Sequence, residues 1–155
     1  MKTEKVKEFI RDGRAPIPKT LQISKTMSSI KAKNTKPEII IRKELVRSNL
    51  IGYRIHNKKI PGRPDISYSN KRLAIFINGC FWHRCPRCKP PFPKTHKFFW
   101  FKKFYKNIKR DKMKRKQLNN LGWSVITLWE CEINENTKKC VEVIKTYLEQ
   151  EMEKN

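Results

Sequence analysis

Residues 61–88 read PGRPDISYSNKRLAIFINGCFWHRCPRC, and their pattern sets the arrangement of the predicted strands. The stretch begins with a proline-rich turn, continues through a short strand, a polar turn and a strongly apolar strand, and ends in a cysteine-rich loop. The resulting meander predicts Asp65 near the start of one strand and Ile77 at the end of the next. We therefore expect Asp65 to lie near His83, which follows the second strand.

The charge of the chain predicts a polyanionic partner. The 155 residues include 37 Lys and Arg against 14 Asp and Glu, a formal net charge of +23. This excess is larger than solubility requires, and it favours nucleic acid. An anionic membrane surface is the second alternative, but no stretch is apolar enough to insert. The N-terminus carries charges where a signal peptide needs an apolar region, so we expect a cytoplasmic protein.

The length predicts one domain with a modest core. Residues 1–23 form a basic N-terminal arm, and residues 24–155 form the single domain. The arm is either loosely ordered or closes over DNA, where it would release counterions from phosphates. The predicted elements are a helix over 35–48, strands over 52–56, 65–68, 72–77 and 123–129, a basic helix that includes much of 94–116 and ends at residues 121–122, and a C-terminal helix over about 135–152.

The helix after Asn34 carries an acidic residue with two possible roles. Thr35 followed by Glu38 fits a capping box, and Pro37 lies in the first turn. Glu38 would then be a helix cap. Alternatively, Glu38 points at a metal from that first turn. The apolar run 39–41 and Leu45 are expected to face mostly inward.

The segment 94–116 interleaves many cations with aromatic side chains. Phe101, Phe104, Tyr105 and Ile108 fall at helical spacing, which predicts that some rings are core. There are too many rings for all to be buried, and surplus rings among cations suit base stacking with phosphate binding. The alternative is a solvated charged helix face. The cations that we expect on DNA are Lys102, Lys103, Lys106 and Arg110.

Three cysteines in a C-x4-C-x2-C pattern predict a zinc site. Cys80, Cys85 and Cys88 lie in a tight turn, from which thiolates converge readily on tetrahedral zinc. The fourth ligand is either Cys131, at the end of a predicted neighbouring strand, or His83. Four thiolates would make the zinc structural and leave His83 free for chemistry. Cys140 lies on an apolar helix face and is expected in the core.

Three polar side chains fit phosphodiester hydrolysis. Asp65 offers a hard oxygen ligand suited to magnesium. His83 could act on the attacking water near neutral pH. Asp111 is the acid in a run of bases, where it either forms a local salt bridge or contacts metal-bound water.

The chain from about Ser24 to Ile133 resembles the very-short-patch repair endonucleases, which nick DNA at mismatches in bacteria. The resemblance covers roughly two-thirds of the chain in matching order and spacing. It rests on five motifs, namely 34–38 (NTKPE), 61–65 (PGRPD), 79–83 (GCFWH), 99–111 (FW with Asn107 and RD), and 121–131 (LGW with WEC).

The resemblance implies a fold and a reaction. The fold is an α/β, restriction-endonuclease-like mixed central sheet flanked by helices, with a structural zinc. The reaction is magnesium-dependent nicking of one strand 5′ to the thymine of a T:G mismatch, which arises when 5-methylcytosine deaminates. The expected partner is double-stranded DNA containing that mismatch, with mismatch-repair scaffold proteins as a further candidate. The protein is expected to act as a monomer at the bacterial nucleoid, without a membrane partner.

The resemblance also implies roles for individual residues. Asp65 binds magnesium directly and His83 is the base, while Glu38 and Asp111 assist through metal-bound water. Large apolar side chains unstack bases most easily where pairing is already weak. The implied wedges are Phe81, Trp82 and Trp100 from the major groove and Met27 from the minor groove.

Two departures from the family pattern affect the metals. Ile77 stands where related nucleases have an acidic residue, so only its backbone carbonyl could reach magnesium. Cys85 stands where the familiar repair enzymes tend to have a zinc-binding histidine. Two other functions therefore stay open, a restriction-type endonuclease that cuts unmismatched DNA and a zinc-stabilised DNA-binding module without catalysis.

Overall fold

The computed structural model describes residues 21–29, 31 and 33–153. Most of the predicted basic arm therefore lies outside the described residues. The helices are α1 (Leu21–Ser28), α2 (Lys36–Arg47), α3 (Cys80–His83), α4 (Lys97–Asn120) and α5 (Glu130–Glu153), and the strands are β1 (Arg54–Ile55), β2 (Ile66–Tyr68), β3 (Leu73–Asn78) and β4 (Ser124–Trp129). Within the described part of the chain, none of the helices combines the length and apolarity needed to cross a membrane.

The four strands form one mixed sheet in the order β1-β2-β3-β4. The first three pair antiparallel, as the predicted meander requires, and β4 pairs parallel to β3. A parallel neighbour needs a crossover connection, and α3 with α4 supplies it. Asp65 precedes β2 and Asn78 ends β3, so both lie at the same edge of the sheet. The predicted α/β class with a mixed sheet between helices is confirmed.

The central strand β3 is apolar on both faces because helices cover both sides of the sheet. Leu73 and Ile75 join a core cluster with residues of α2 and α5, including Ile41 and Ile144. Ala74 packs on the other side with Leu118 of α4. An uninterrupted run of β-branched and apolar residues is typical of such a strand. The two-sided burial fixes the register of β3, and with it the position of the residues that follow.

The N-cap predicted for α2 is confirmed, but the prediction that the apolar run 39–41 faces inward is wrong for Ile39. Thr35 is the N-cap, and the Glu38 carboxylate accepts the N–H of Thr35 in a capping box. Ile41 and Leu45 are fully buried, whereas Ile39 is exposed. Three consecutive isoleucines span most of a helical turn, so they cannot all face the same core.

The prediction that some of the rings of α4 are core, while others are exposed, is confirmed. Phe104 is buried, but Phe101, Tyr105 and Ile108 are exposed. The buried face instead carries Trp100, Phe104, Asn107 and Leu118. The polar Asn107 hides this stripe from an analysis of apolar periodicity.

The remaining boundaries shift by a few residues. The strand predicted over 52–56 has only two residues, and the turn at 69–71 is a short 3-10 helix. Helix α5 begins at Glu130, before the predicted 135, and its backbone breaks at Asn136 with φ −154° and ψ 87°. The Asn136 side chain accepts the N–H of Lys139, as an N-cap does at the start of a new helix. Cys140 is buried in the core, as predicted.

Candidate active site

Asp65 is held rigidly at the sheet edge. Its Oδ2 accepts the backbone N–H of Ile77 at 2.7 Å, which ties the start of β2 to the end of β3. Burial raises the pKa of the Asp65 carboxyl, the Ile77 N–H lowers it, and the nearby Glu38 charge raises it further. A carboxylate that is buried next to another carboxylate is suited to binding a cation, because the cation relieves both penalties.

His83 and Asp111 form a pair across two helices. The Nδ1 atom of His83, at the end of α3, lies 2.5 Å from Oδ2 of Asp111 in the middle of α4. Asp111 also lies near Arg110, with 3.9 Å between Nε and Oδ1. A carboxylate at Nδ1 fixes the tautomer that leaves Nε2 with a free lone pair, as general-base catalysis requires. Asp111 thus contacts His83 and also forms the predicted local salt bridge with Arg110.

Asp65 and His83 line the same open cleft, which has a volume of about 1310 Å³. The two residues therefore lie on the same side of the molecule. The cleft also exposes Ile77, whose carbonyl stays a predicted magnesium ligand. The other predicted site residues that line it are Glu38, Asp111, Phe81, Trp82, Lys103 and Arg110.

The predicted wedges differ in exposure. Phe81 and Trp82 are half-buried and line the cleft, whereas Trp100 is only 9% exposed. Trp100 contacts both rings, with centroids 5.3 Å from Phe81 and 5.8 Å from Trp82. In this conformation Trp100 lies against the other two rings. The side chain of Met27 lies outside the described part of the structure.

The predicted DNA-contacting cations fall into two groups. Lys103 and Arg110 line the cleft. Lys102 instead lies over the ring of Phe98, with 4.2 Å between Nζ and the ring centroid, and Lys106 is exposed. Cations are therefore present both in the cleft and on the exposed surface of α4.

The structure brings two further polar residues of α4 to the cleft. The side-chain amide of Asn107 donates to the carbonyl of Trp82 at 2.9 Å and accepts from Arg110, so it anchors α3. Lys114 lies in the cleft, and its Nζ is 5.8 Å from the Phe76 ring centroid. Burial and then the neighbouring Arg110 charge lower the pKa of Lys114. Sequence analysis missed Lys114 because it is one of many cations in a uniformly basic segment.

Sequence analysis also missed His56. This histidine was assigned to a predicted strand, but it follows β1 and enters the cleft between Glu38 and Asp65. One ligand atom from each of the three residues lies within 4.8 Å of the other two. The sequence did contain one signal for His56, because the chain has only three histidines and each is a candidate site residue.

Four cysteines converge at the end of β3. One sulfur from each of Cys80, Cys85, Cys88 and Cys131 lies within 4.8 Å of the others, and the sulfurs of Cys85 and Cys131 are 3.7 Å apart. A tetrahedral zinc with Zn–S bonds of about 2.3 Å places its sulfurs roughly 3.8 Å apart. The donor set and its spacing therefore fit zinc. His83 is paired with Asp111 and is not part of this cluster.

The surroundings of the cluster shift the pKa values of its thiols in both directions. Burial opposes ionisation of Cys85, but the N–H groups of Cys88 and Arg87 bring its pKa below the usual value. The N–H of Cys131 likewise donates to the sulfur of Cys80 at 3.3 Å. Burial raises the pKa of Cys80 and Cys131. A divalent cation would offset this penalty and hold all four sulfurs ionised.

Comparison with known proteins identifies the family. The family profile described as DNA mismatch endonuclease Vsr matches residues 18–89. The DNA mismatch endonuclease Vsr of Escherichia coli is 35% identical over 129 residues, which are 82% of this chain and 81% of the relative. The Type II nicking enzyme V.NmeAIP of Neisseria meningitidis is 39% identical over 114 residues, which are 74% and 81% of the two chains. This chain therefore belongs to the Vsr family of DNA mismatch endonucleases and is a DNA endonuclease.

Proposed function

We propose that this endonuclease nicks one strand of duplex DNA on the 5′ side of the thymine in a T:G mismatch and depends on Mg²⁺. The observation that carries the proposal is the meeting of Asp65 and the His83–Asp111 pair in one basic cleft, next to the half-buried rings of Phe81 and Trp82. The names of the relatives, a mismatch endonuclease and a nicking enzyme, support single-strand cleavage.

The first step is activation of a water molecule. Asp111 holds His83 with Nδ1 protonated, so that Nε2 can accept a proton from water. The carboxylate also stabilises the imidazolium that results. His83 would thus act as the general base, and Asp111 would position it.

The scissile phosphate needs positive charge near it. Mg²⁺, when bound, would neutralise the phosphate and stabilise the charge that develops during hydrolysis. Asp65 would hold it, with the Ile77 carbonyl as a second ligand. Lys114 and Arg110 add charge to the same cleft, and half-burial strengthens the contribution of Lys114.

Mismatch selectivity would come from the aromatic side chains. Phe81 and Trp82 would insert beside the mismatch, where unstacking costs least. Asn107 holds the backbone of Trp82, and Trp100 contacts both rings. This support would keep the wedge rigid while base pairs are forced apart.

Further properties complete the proposal. The four cysteines would hold a structural zinc that fixes the α3 loop between β3 and α5. The sheet and its flanking helices would represent a restriction-endonuclease-like core. The protein would act as a monomer at the bacterial nucleoid in the cytoplasm, and mismatch-repair scaffold proteins are candidate stimulators.

A cleavage assay on defined duplexes tests this function. Purified protein with Mg²⁺ should nick a duplex containing one T:G mismatch at the phosphate 5′ to the thymine. The same duplex with a C:G or T:A pair should stay intact. Cleavage of both strands of a matched duplex would instead indicate a restriction-type enzyme, and binding without cleavage would indicate a non-catalytic module.

A further inference from the structure

His56 lies between the two carboxylates of the cleft. Its Nε2 is 3.3 Å from Oε2 of Glu38, and its Nδ1 is 3.8 Å from Oδ1 of Asp65. The His56 side chain is only 17% exposed. The mechanism above gives this buried imidazole no role.

Glu38 is already committed to the start of α2. Its Oε2 accepts the N–H of Asn34 at 3.0 Å, and its Oε1 accepts both the N–H and the hydroxyl of Thr35. These contacts hold the carboxylate in place and use much of its accepting capacity. Glu38 is therefore better suited to accept a hydrogen bond from His56 than to coordinate a cation directly.

The Nε2 atom of the His56 ring is the one that needs a hydrogen-bond partner. It is buried and, among the described residues, makes no hydrogen bond in the observed orientation. Glu38 Oε2 is close enough to accept one after a small rotation of the ring. The tautomer that carries its proton on Nε2 satisfies this buried atom and leaves a lone pair on Nδ1.

The Nδ1 lone pair then faces the Asp65 carboxylate. A separation of 3.8 Å is too long for a hydrogen bond, and two electron-rich atoms facing each other repel. A divalent cation with ligand bonds of about 2.0–2.2 Å can contact both atoms at such a separation. The space between Nδ1 and Oδ1 therefore fits a metal ion better than it fits a direct contact.

The backbone holds His56 in this position. His56 has φ +45°, a left-handed conformation that is uncommon outside glycine. Its N–H donates to the carbonyl of Asp65 at 3.2 Å. Unfavourable backbone conformations that persist next to a candidate site often serve that site.

We propose that Nδ1 of His56 is a ligand of the catalytic cation together with Asp65, while Glu38 holds the Nε2 proton. This inference rests on the proposed function, in which Asp65 binds the cation. A carboxylate that orients a metal-bound histidine is a common outer-shell arrangement. Because Mg²⁺ takes oxygen ligands and imidazole suits transition ions, the site should bind a divalent transition ion such as Mn²⁺ more tightly than Mg²⁺.

The test uses Mn²⁺ binding to the full chain without DNA. Mn²⁺ is paramagnetic, so pulsed electron paramagnetic resonance detects a nitrogen nucleus bonded to it. We compare the wild type with His56→Asn, His83→Asn and His96→Asn. His96 is a matched control because it is exposed and has a similar φ of +51°, a region that asparagine also tolerates.

The wild type should bind Mn²⁺ at least about 10-fold more tightly than Mg²⁺ and show coupling to nitrogen. His56→Asn should lose the nitrogen coupling and weaken Mn²⁺ binding by about 10- to 100-fold, with a smaller effect on Mg²⁺. His83→Asn and His96→Asn should keep the coupling. If His56→Asn does not fold, labelling the wild type with ¹⁵N-histidine still identifies a histidine ligand, and the other two variants assign it to His56.

Three outcomes would overturn the proposal. They are no nitrogen coupling in the wild type, coupling that persists in His56→Asn, and an equal loss of Mn²⁺ and Mg²⁺ binding that leaves their ratio unchanged. The last would make His56 a positioning residue only. Failure of the proposed function is seen separately, as Mn²⁺ binding that is unaffected by Asp65→Asn together with absence of nicking.

Discussion

The Nδ1 atom of His83 lies 2.5 Å from Oδ2 of Asp111, and this pair connects the short helix α3 to the long basic helix α4. The contact gives His83 a fixed orientation at the cleft. It also gives a role to an acidic side chain that lies among bases in the sequence. The contact between Asp111 and His83 therefore depends on the packing of α4 against α3.

Asp111→Asn should slow nicking strongly. The amide has nearly the same shape but cannot stabilise the imidazolium, and it can favour the wrong tautomer of His83. We expect the single-turnover rate to fall by about 100- to 10,000-fold, with DNA affinity little changed. Glu149→Gln, an equivalent change on the exposed face of α5, is the control. A rate within a few-fold of the wild type would show that Asp111 does not position His83.

Asp65→Asn should raise stability in Mg²⁺-free buffer. Burial raises the folded-state pKa of Asp65 above its unfolded value, so the folded state binds the proton more tightly. The wild type therefore loses stability as pH rises from about 4, the unfolded value, through the folded pKa, and asparagine avoids that loss. Thermal unfolding at several pH values should show the variant gaining over the wild type as pH rises. An advantage that does not change with pH would contradict the burial penalty.

Mg²⁺ should stabilise the wild type but not Asp65→Asn. Mg²⁺ should raise the unfolding midpoint of the wild type, because it binds the folded state, and should leave Asp65→Asn unchanged. Equal stabilisation of both proteins by Mg²⁺ would place the cation elsewhere.

Cys131→Ser should remove the zinc, whereas Cys140→Ser should not. Cys131 belongs to the sulfur cluster, and Cys140 is a buried core residue of the same helix. We expect one zinc per chain by elemental analysis in the wild type and in Cys140→Ser, and a large loss of zinc and of unfolding midpoint in Cys131→Ser. One full zinc equivalent in Cys131→Ser would call for a different fourth ligand. His83→Ala should also retain its zinc.

Lys103→Gln should reduce the salt dependence of DNA binding. Lys103 lines the cleft, whereas Lys138 is exposed on α5. Each lost phosphate contact should lower the slope of log affinity against log salt by about 1. Lys138→Gln should leave the slope unchanged. Equal slopes for all three proteins would mean that Lys103 does not face phosphate.

Much of the fold could be predicted because local signals agreed with burial. The apolar run of β3 and the capping box of α2 each have a period or spacing that one type of element satisfies. On α4 the spacing predicted that only some rings are buried but not which residues form the buried face, because buried Asn107 is polar and exposed Phe101 is aromatic. Asn107 departs from the rule that apolar side chains face the core because it lies beside the candidate site, where it lines the cleft.

The candidate site was predictable residue by residue but not as a set of contacts. Asp65, His83 and the cysteine spacing are recognisable from side-chain chemistry. The pairing of His83 with Asp111 depends on how two helices pack, which no local pattern encodes. His56 and Lys114 were missed for the same reason, since their roles come from neighbours that are distant in the sequence.

The roles of Asp65 and His83 can be measured by single-turnover nicking of a T:G duplex by the wild type, Asp65→Asn and His83→Asn, with DNA binding measured in parallel. We predict that both variants bind the duplex as tightly as the wild type and lose nicking by at least about 100-fold. Nicking at the wild-type rate by either variant would contradict the claim that the carboxylate and the imidazole in this cleft hydrolyse the DNA backbone.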